Sequence, residues 1–95
     1  MKLILLVGKP GKGKTTTLNL LYDTMNPKAT EIISGKAQVG GCKRDFECGL
    51  AWNGKGTPLK VGIFTMGDFY RECISVAQKY SQKVDVLVLA YSDKF

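Results

Sequence analysis

Apolar residues follow three patterns along this chain, and each pattern predicts a different kind of element. Residues 3–7 (LILLV) are continuously apolar, which is typical of a strand buried on both faces in a parallel sheet. From residue 15 to residue 25, apolar side chains recur at spacings of three and four, which predicts an amphipathic helix that Pro27 ends. Residues 46–52 alternate strictly, which is typical of a half-buried strand. We expect residues 3–7 to form the central strand of a sheet.

The second half of the chain predicts further strands and a second helix. Residues 60–65 pair with residues 46–52 in a predicted β-hairpin, whose loop contains glycines and a proline. A helix with one apolar face follows from residue 68, and residues 84–90 form another fully apolar strand. The predicted helix face consists of Phe69, Cys73, Val76, Ala77 and Tyr80. Residues 60–90 are therefore a predicted β-α-β unit with parallel strands, and the hairpin makes the sheet mixed.

Residues 28–43 show no clean periodicity. The pair Ile32-Ile33 fits either a short strand or a buried loop, so the pattern leaves this region open.

The length and net charge limit the number of domains and the kind of partner, but they do not identify a function. A chain of 95 residues with 44% apolar and 23% charged residues predicts one folded domain with a modest core. The net charge of +6 favours anionic partners, but nucleotides, nucleic acids and membrane surfaces all satisfy it. Residues 3–7 are too few for a signal peptide or a membrane span, so we expect no membrane association and a cytoplasmic location.

The cysteines indicate free thiols. Cys42, Cys48 and Cys73 are odd in number and unevenly spaced, and the chain contains no histidine to complete a common zinc set. This usage is typical of a reducing compartment.

The most specific chemical signal is the segment GKPGKGKT at residues 8–15. It fits the pattern G-x-x-x-x-G-K-[ST] at every fixed position, between a predicted strand and a predicted helix. Glycines let the backbone fold around an anion with several N–H groups pointing inward, and the helix that begins near Gly13 adds its positive end. In such a loop Lys14 reaches the β- and γ-phosphates, and the Thr15 hydroxyl ligates Mg²⁺.

Residues 3–21 thus resemble the first strand, Walker A loop and first helix of P-loop nucleoside triphosphatases and kinases. The resemblance implies a three-layer α/β/α P-loop domain with a mainly parallel sheet, to which the hairpin adds a mixed part. It implies that residues 1–95 bind ATP or GTP with Mg²⁺, either as one unusually small domain or as the N-terminal part of a longer one. ATP is the default, since no guanine-specific Asn/Thr-Lys-x-Asp motif is present. The implied nucleotide-binding residues are Gly8, Lys9, Pro10, Gly11, Lys12, Gly13, Lys14, Thr15 and Thr16.

The resemblance also implies an acid at the end of a second strand, where it holds Mg²⁺ directly or through water. Asp68 is the best candidate and would act beside Lys14 and Thr15, although the N-cap of the following helix explains it equally well. Arg71, one turn into that helix, is a candidate to neutralise charge on a transferring phosphoryl group, but a solvated arginine is the commoner case. Asp93 is a second candidate acid and fits better as a solvated tail residue.

Three functions are consistent with these residues. The first is Mg²⁺-dependent hydrolysis of a nucleoside triphosphate or phosphoryl transfer to a small acceptor, which the sequence does not identify. The second is a partner-regulated ATPase, because Lys9 stands where partition and septum-site ATPases carry their signature lysine, although Pro10 replaces their usual glycine. The third is a nucleotide-binding module without catalysis. Nucleic acid is not expected as a partner, since a solvated strand edge explains the basic residues around the hairpin, and the oligomeric state stays open.

Overall fold

The computed structural model describes residues 1–8, 13–39, 44–52, 58–66 and 70–92. Five strands and two helices follow one another in the order β1 (Lys2–Gly8), α1 (Lys14–Met25), β2 (Ala29–Gln38), β3 (Phe46–Trp52), β4 (Leu59–Phe64), α2 (Tyr70–Tyr80) and β5 (Val86–Ser92). The strands form one sheet in the order β1-β5-β4-β3-β2. Among the described residues, no helix is long and apolar enough to cross a membrane.

The sheet is half parallel and half antiparallel. β5 runs parallel to both of its neighbours, β1 and β4, whereas β3 runs antiparallel to both β4 and β2. Consequently the carboxyl ends of β1, β4 and β5 lie at the same edge of the sheet as the amino end of β3. That edge carries the candidate site.

One helix packs against each face. α1 places Leu18, which is 2% exposed, against the buried side chains of β3, β4 and β5, and Tyr22 meets the Phe46 ring edge-on at 5.5 Å. α2 packs on the other face through Cys73, Val76 and Tyr80. Each helix therefore buries one apolar stripe, as its periodicity predicts.

A pair of glycines makes room for the largest buried side chain. Gly49 of β3 and Gly62 of β4 are register partners. A Cβ at Gly62 would lie 3.5 Å from Cδ1 of Tyr80, and a Cβ at Gly49 would lie 3.4 Å from Oγ of Ser34. The Tyr80 ring packs at Gly62, and its hydroxyl hydrogen-bonds the Ser34 hydroxyl at 3.1 Å, beside Gly49. α2 is thereby linked to β2, the edge strand two positions beyond β4.

The predicted fold class is wrong. Strands make up 49% of the structure described, and a single short helix on each face does not amount to a layer of helices, so the three-layer α/β/α P-loop domain is not formed. The sheet is mixed, as the hairpin requires, but it is not mainly parallel, because two of its four strand pairs are antiparallel.

The predicted position of the first strand is also wrong. Among the strands that the structure describes, β1 lies at the edge of the sheet and pairs only with β5. Its side chains are about half exposed: 49% for Leu3, 52% for Ile4, 46% for Leu5 and 56% for Val7. The middle of the sheet is β4.

Several local predictions are confirmed. α1 ends at Met25 and is followed by a 3₁₀ turn at Asn26–Lys28, as Pro27 predicts. β3 and β4 form the antiparallel pair of the predicted hairpin, and β4, α2 and β5 form the predicted β-α-β unit. In the region left open, Ile32 and Ile33 belong to a strand of ten residues, β2. Its pairing with β3 shifts register in three places.

Candidate nucleotide site

The two flanks of the glycine-rich segment lie at the edge of the sheet where the carboxyl ends of β1, β4 and β5 meet. Gly8 ends β1 and Gly13 is the N-cap of α1, with φ of +85°, a left-handed conformation that favours glycine. Lys14 begins α1 and donates a hydrogen bond from Nζ to the carbonyl oxygen of Gly8, at 3.0 Å. The strand end and the helix start are thus joined by the lysine that the motif assigns to phosphate.

The start of α1 suits an anion. Gly13 provides no side-chain cap for this helix terminus, and the first turn of the helix contains no acidic residue. An acidic cap at the N-cap position would occupy terminal N–H groups and oppose a phosphate, so the N-cap and first turn of α1 are compatible with a bound anion.

A carboxylate lies against the Thr15 hydroxyl. Thr15 Oγ1 donates to Oδ1 of Asp45 at 3.2 Å, and Thr65 Oγ1 donates to the same oxygen at 3.0 Å. The Thr65 hydroxyl also accepts a hydrogen bond from the N–H of Phe46 at 2.8 Å. Thr15 comes from α1, Asp45 directly precedes β3, and Thr65 directly follows β4, so this network joins three elements at one edge.

Further contacts hold Asp45 beside α1. Asn19 Nδ2 donates both to the Thr15 carbonyl oxygen, at 2.8 Å, and to the Arg44 carbonyl oxygen, at 3.1 Å. The Arg44 guanidinium donates to the Thr16 hydroxyl. The segment before β3 is therefore fixed to the first turns of α1 by main-chain and side-chain groups together.

Cationic groups surround this network. Lys36 of β2 donates to Oδ1 of Asn19 at 3.4 Å, and its Nζ lies 4.7 Å from the ring centroids of both Tyr22 and Phe46. Together with Lys14 and Arg44, it gives the edge a positive potential that complements a polyphosphate. Asp45 is the acid in this hydrogen-bonded network of described residues.

Two titratable groups beneath the site have raised pKa values. Burial raises the pKa of the Cys48 thiol to about 11, and the positive charge of Lys36 opposes that rise in part. Burial also raises the pKa of the Tyr22 hydroxyl, with a smaller contribution from Cys48 and Asp23. Both groups therefore stay neutral at physiological pH.

The structure describes part of the predicted site. Gly8, Gly13, Lys14, Thr15 and Thr16 lie together at the edge, through the contacts given above. Arg71 is exposed in the first turn of α2, and no side-chain contact among the described residues joins it to this network. The remaining predicted residues lie outside the described residues: Lys9, Pro10, Gly11, Lys12, Asp68 and Asp93.

Asp45 is not among the acids predicted from the sequence. The carboxyl ends of parallel strands carry ligands, so the predicted acids follow strands, whereas Asp45 precedes β3, which runs antiparallel to β4. The signal was present, since the predicted hairpin already required β3 to be antiparallel to β4. An acid immediately before residue 46 therefore had to lie at the same edge as residue 65.

The described side chains do not form a cluster that would by itself identify a metal site. Within the described ranges, no group of three or more histidine, cysteine, aspartate or glutamate side chains could hold a metal ion. A Mg²⁺ ion bound with a nucleotide needs fewer protein side chains as ligands, since phosphates and water supply most of its ligands.

No family model, curated protein or solved structure matches this chain.

Proposed function

We propose that this protein binds a Mg²⁺-complexed nucleoside triphosphate at residues 8–16 and acts on its terminal phosphate, by hydrolysis or by transfer to a small acceptor. The observation that supports this most directly is the contact between the Thr15 hydroxyl and the Asp45 carboxylate, 3.2 Å apart, at a helix start whose N-cap, Gly13, has no capping side chain. A hydroxyl and a carboxylate side by side are the protein ligands that Mg²⁺ uses beside nucleotide phosphates.

In this proposal each described residue has a defined task. Lys14 leaves the Gly8 carbonyl oxygen for the β- and γ-phosphates, where its charge stabilises the transferring group. Thr15 ligates Mg²⁺ through its hydroxyl, and Asp45 ligates the ion directly or orients a water bound to it. Thr65 holds Asp45 in place through the shared oxygen Oδ1.

Asp68 and Arg71 remain candidates for catalysis. Asp68 is proposed as a second metal-associated acid and Arg71 as a neutralising cation, both on the segment that leads from β4 into α2. The buried thiol of Cys48, which forms no disulfide, supports the proposal that the protein works in a reducing compartment, the cytoplasm.

Calorimetric titration with Mg·ATP and Mg·GTP tests the binding. Lys14→Ala removes a charge-assisted contact with phosphate, so we expect its affinity to fall by a factor of about 10 to 100. Lys83→Ala is the matched control, because this exposed lysine follows α2 and makes no side-chain contact with the residues of the network described above. Wild-type protein that binds neither nucleotide, or a Lys14→Ala variant that binds as tightly as the wild type, would contradict the proposal.

The role of Asp45 is tested with and without the metal. Asp45→Asn keeps an oxygen for the hydroxyls of Thr15 and Thr65 but removes the negative charge. We expect it to weaken Mg·ATP binding by about tenfold while metal-free ATP binds equally well or better, since an anion no longer faces the phosphates. An equal loss in both titrations would assign Asp45 a structural role only.

Assays of product formation in the same samples identify the reaction. Phosphate release without an acceptor identifies hydrolysis, and turnover that requires an added acceptor identifies transfer. Nucleotide binding without either product identifies the non-catalytic module.

A further inference from the structure

The apolar edge strand β1 is not explained by the nucleotide site. Its four half-exposed residues, Leu3, Ile4, Leu5 and Val7, face both sides of the sheet. Edge strands usually carry charges, prolines or bulges that prevent pairing with another chain, and residues 3–7 contain no charged residue and no proline. β1 therefore has the properties of a strand that pairs on both sides.

The edge strand on the opposite side of the sheet from β1 is β2, and it is protected against pairing in the usual way. β2 shifts register in three places against β3 and carries Glu31 and Lys36. Such irregularities and charges prevent another strand from adding to it. One edge of the sheet is thus blocked, and at the other edge no described strand pairs with the outer side of β1.

The backbone of β1 is suited to pairing with itself. Lys2 N–H donates to the Asp85 carbonyl oxygen at 2.8 Å, so the backbone groups of every second residue, counted from Lys2, point toward β5. Those of Leu3, Leu5 and Val7 point toward the open edge. These three positions are symmetric about Leu5, so an antiparallel copy of the strand places each of them opposite another outward-pointing residue.

We propose that β1 pairs antiparallel with β1 of a second copy, around a two-fold axis at Leu5, and that the two sheets become one. Leu5 then lies opposite Leu5 of the second copy, and Leu3 lies opposite Val7. Each of these pairs exchanges two N–H···O hydrogen bonds. The blocked β2 edges remain outermost, so the assembly closes at two copies.

Apolar grooves flank β1 on both faces of the sheet and add to the surface that a second copy can cover. A stable dimer buries about 800 Å² on each partner. On the α2 face, a groove of about 350 Å³ is lined by Leu3, Leu5 and Ile74 among others. On the α1 face, a groove of about 530 Å³ is lined by Ile4, Leu21 and Met25 among others. Side chains of the second β1 enter both grooves, because successive residues of a strand point to opposite faces.

Sedimentation velocity of the full chain tests the dimer. We expect wild-type protein to sediment as twice 10.4 kDa, and Leu5→Lys to weaken association by at least about tenfold, because like charges then face each other at the axis. Ile32→Lys is the matched control, since Ile32 is 53% exposed on the blocked edge, and it stays dimeric. A monomeric wild type at millimolar concentration, or dissociation by Ile32→Lys instead of Leu5→Lys, overturns the proposal.

Cysteine cross-linking tests the register without relying on a disruptive variant. Opposed residues of a hydrogen-bonded antiparallel pair have Cα atoms about 5.5 Å apart, within disulfide range. Leu5→Cys therefore forms a covalent dimer on mild oxidation. Leu3→Cys does not, because the two copies of this residue lie about 13 Å apart along the strands. Equal cross-linking by both variants, or by neither, refutes the register.

Discussion

Thr65 connects the core of the sheet to the candidate site through one hydroxyl. The side chain is 5% exposed and directly follows β4. Its oxygen accepts from the N–H of Phe46 at 2.8 Å and donates to the Asp45 carboxylate at 3.0 Å. Thr65→Val replaces the hydroxyl with a methyl group of similar size and removes both hydrogen bonds.

The cost of this substitution follows from the burial of each partner. The N–H of Phe46 loses its side-chain acceptor in the core, which costs about 1–3 kcal/mol. Asp45 is half-buried and water replaces part of its lost bond, so we add about 0.5 kcal/mol for it. We therefore expect the free energy of unfolding to fall by about 1.5–3.5 kcal/mol, a large share of the about 5–14 kcal/mol typical of a domain of this length.

Urea and thermal unfolding measure this loss. The expected decrease in Tm is about 6–28 °C for a domain of this size. Thr65→Ser is the control, because it keeps the hydroxyl and loses only a methyl group, at a cost of about 1 kcal/mol. A valine variant within about 0.5 kcal/mol of wild type, or a serine variant that loses as much as valine, would refute the reasoning.

Two further predictions concern the core. Gly62→Ala places a Cβ 3.0 Å from Cδ1 of the buried Leu87, so we expect about 1 kcal/mol of destabilisation in urea unfolding, whereas Gly35→Ala, where nothing lies within 4 Å, is neutral or stabilising. The raised pKa of Cys48 means that the folded state holds the thiol proton more tightly than the unfolded state. The resulting stability is present below pH 9.0 and is lost as pH rises toward about 11. Unfolding free energies of wild type and Cys48→Ala should therefore converge over that range, and parallel curves would exclude the thiol as the cause.

Elements whose packing is local could be predicted from the sequence. α1, the β3-β4 hairpin and the β4-α2-β5 unit were each predicted from periodicity, a proline or turn residues within about 30 positions. β2 was not, because its register shifts change which residues face the core, and period-two alternation disappears.

The prediction that β1 is the central strand is wrong for a different reason. A run of five apolar residues indicates that both faces of the strand are more stable when buried, but it does not identify the element that covers them. In this structure β5 covers one side of the strand, and no described element covers the other.

The site shows the same division. Residues 13–16 could be predicted, because the motif joins a strand to a helix over a short distance. Asp45 could not be found by searching after strands, since its position depends on the antiparallel direction of β3, a property of the tertiary pairing.

The contact of Tyr80 with Gly62 and Ser34 has an evolutionary consequence. Either Gly62 or Gly49 can gain a side chain only if its neighbours move, and the tyrosine can keep its bond to Ser34 only while the path between them stays open. These four positions lie on four different elements, yet we expect substitutions at them to be coupled. A relative that fills one glycine is expected to carry a smaller residue at position 80, and such paired changes would record this contact in an alignment of related sequences.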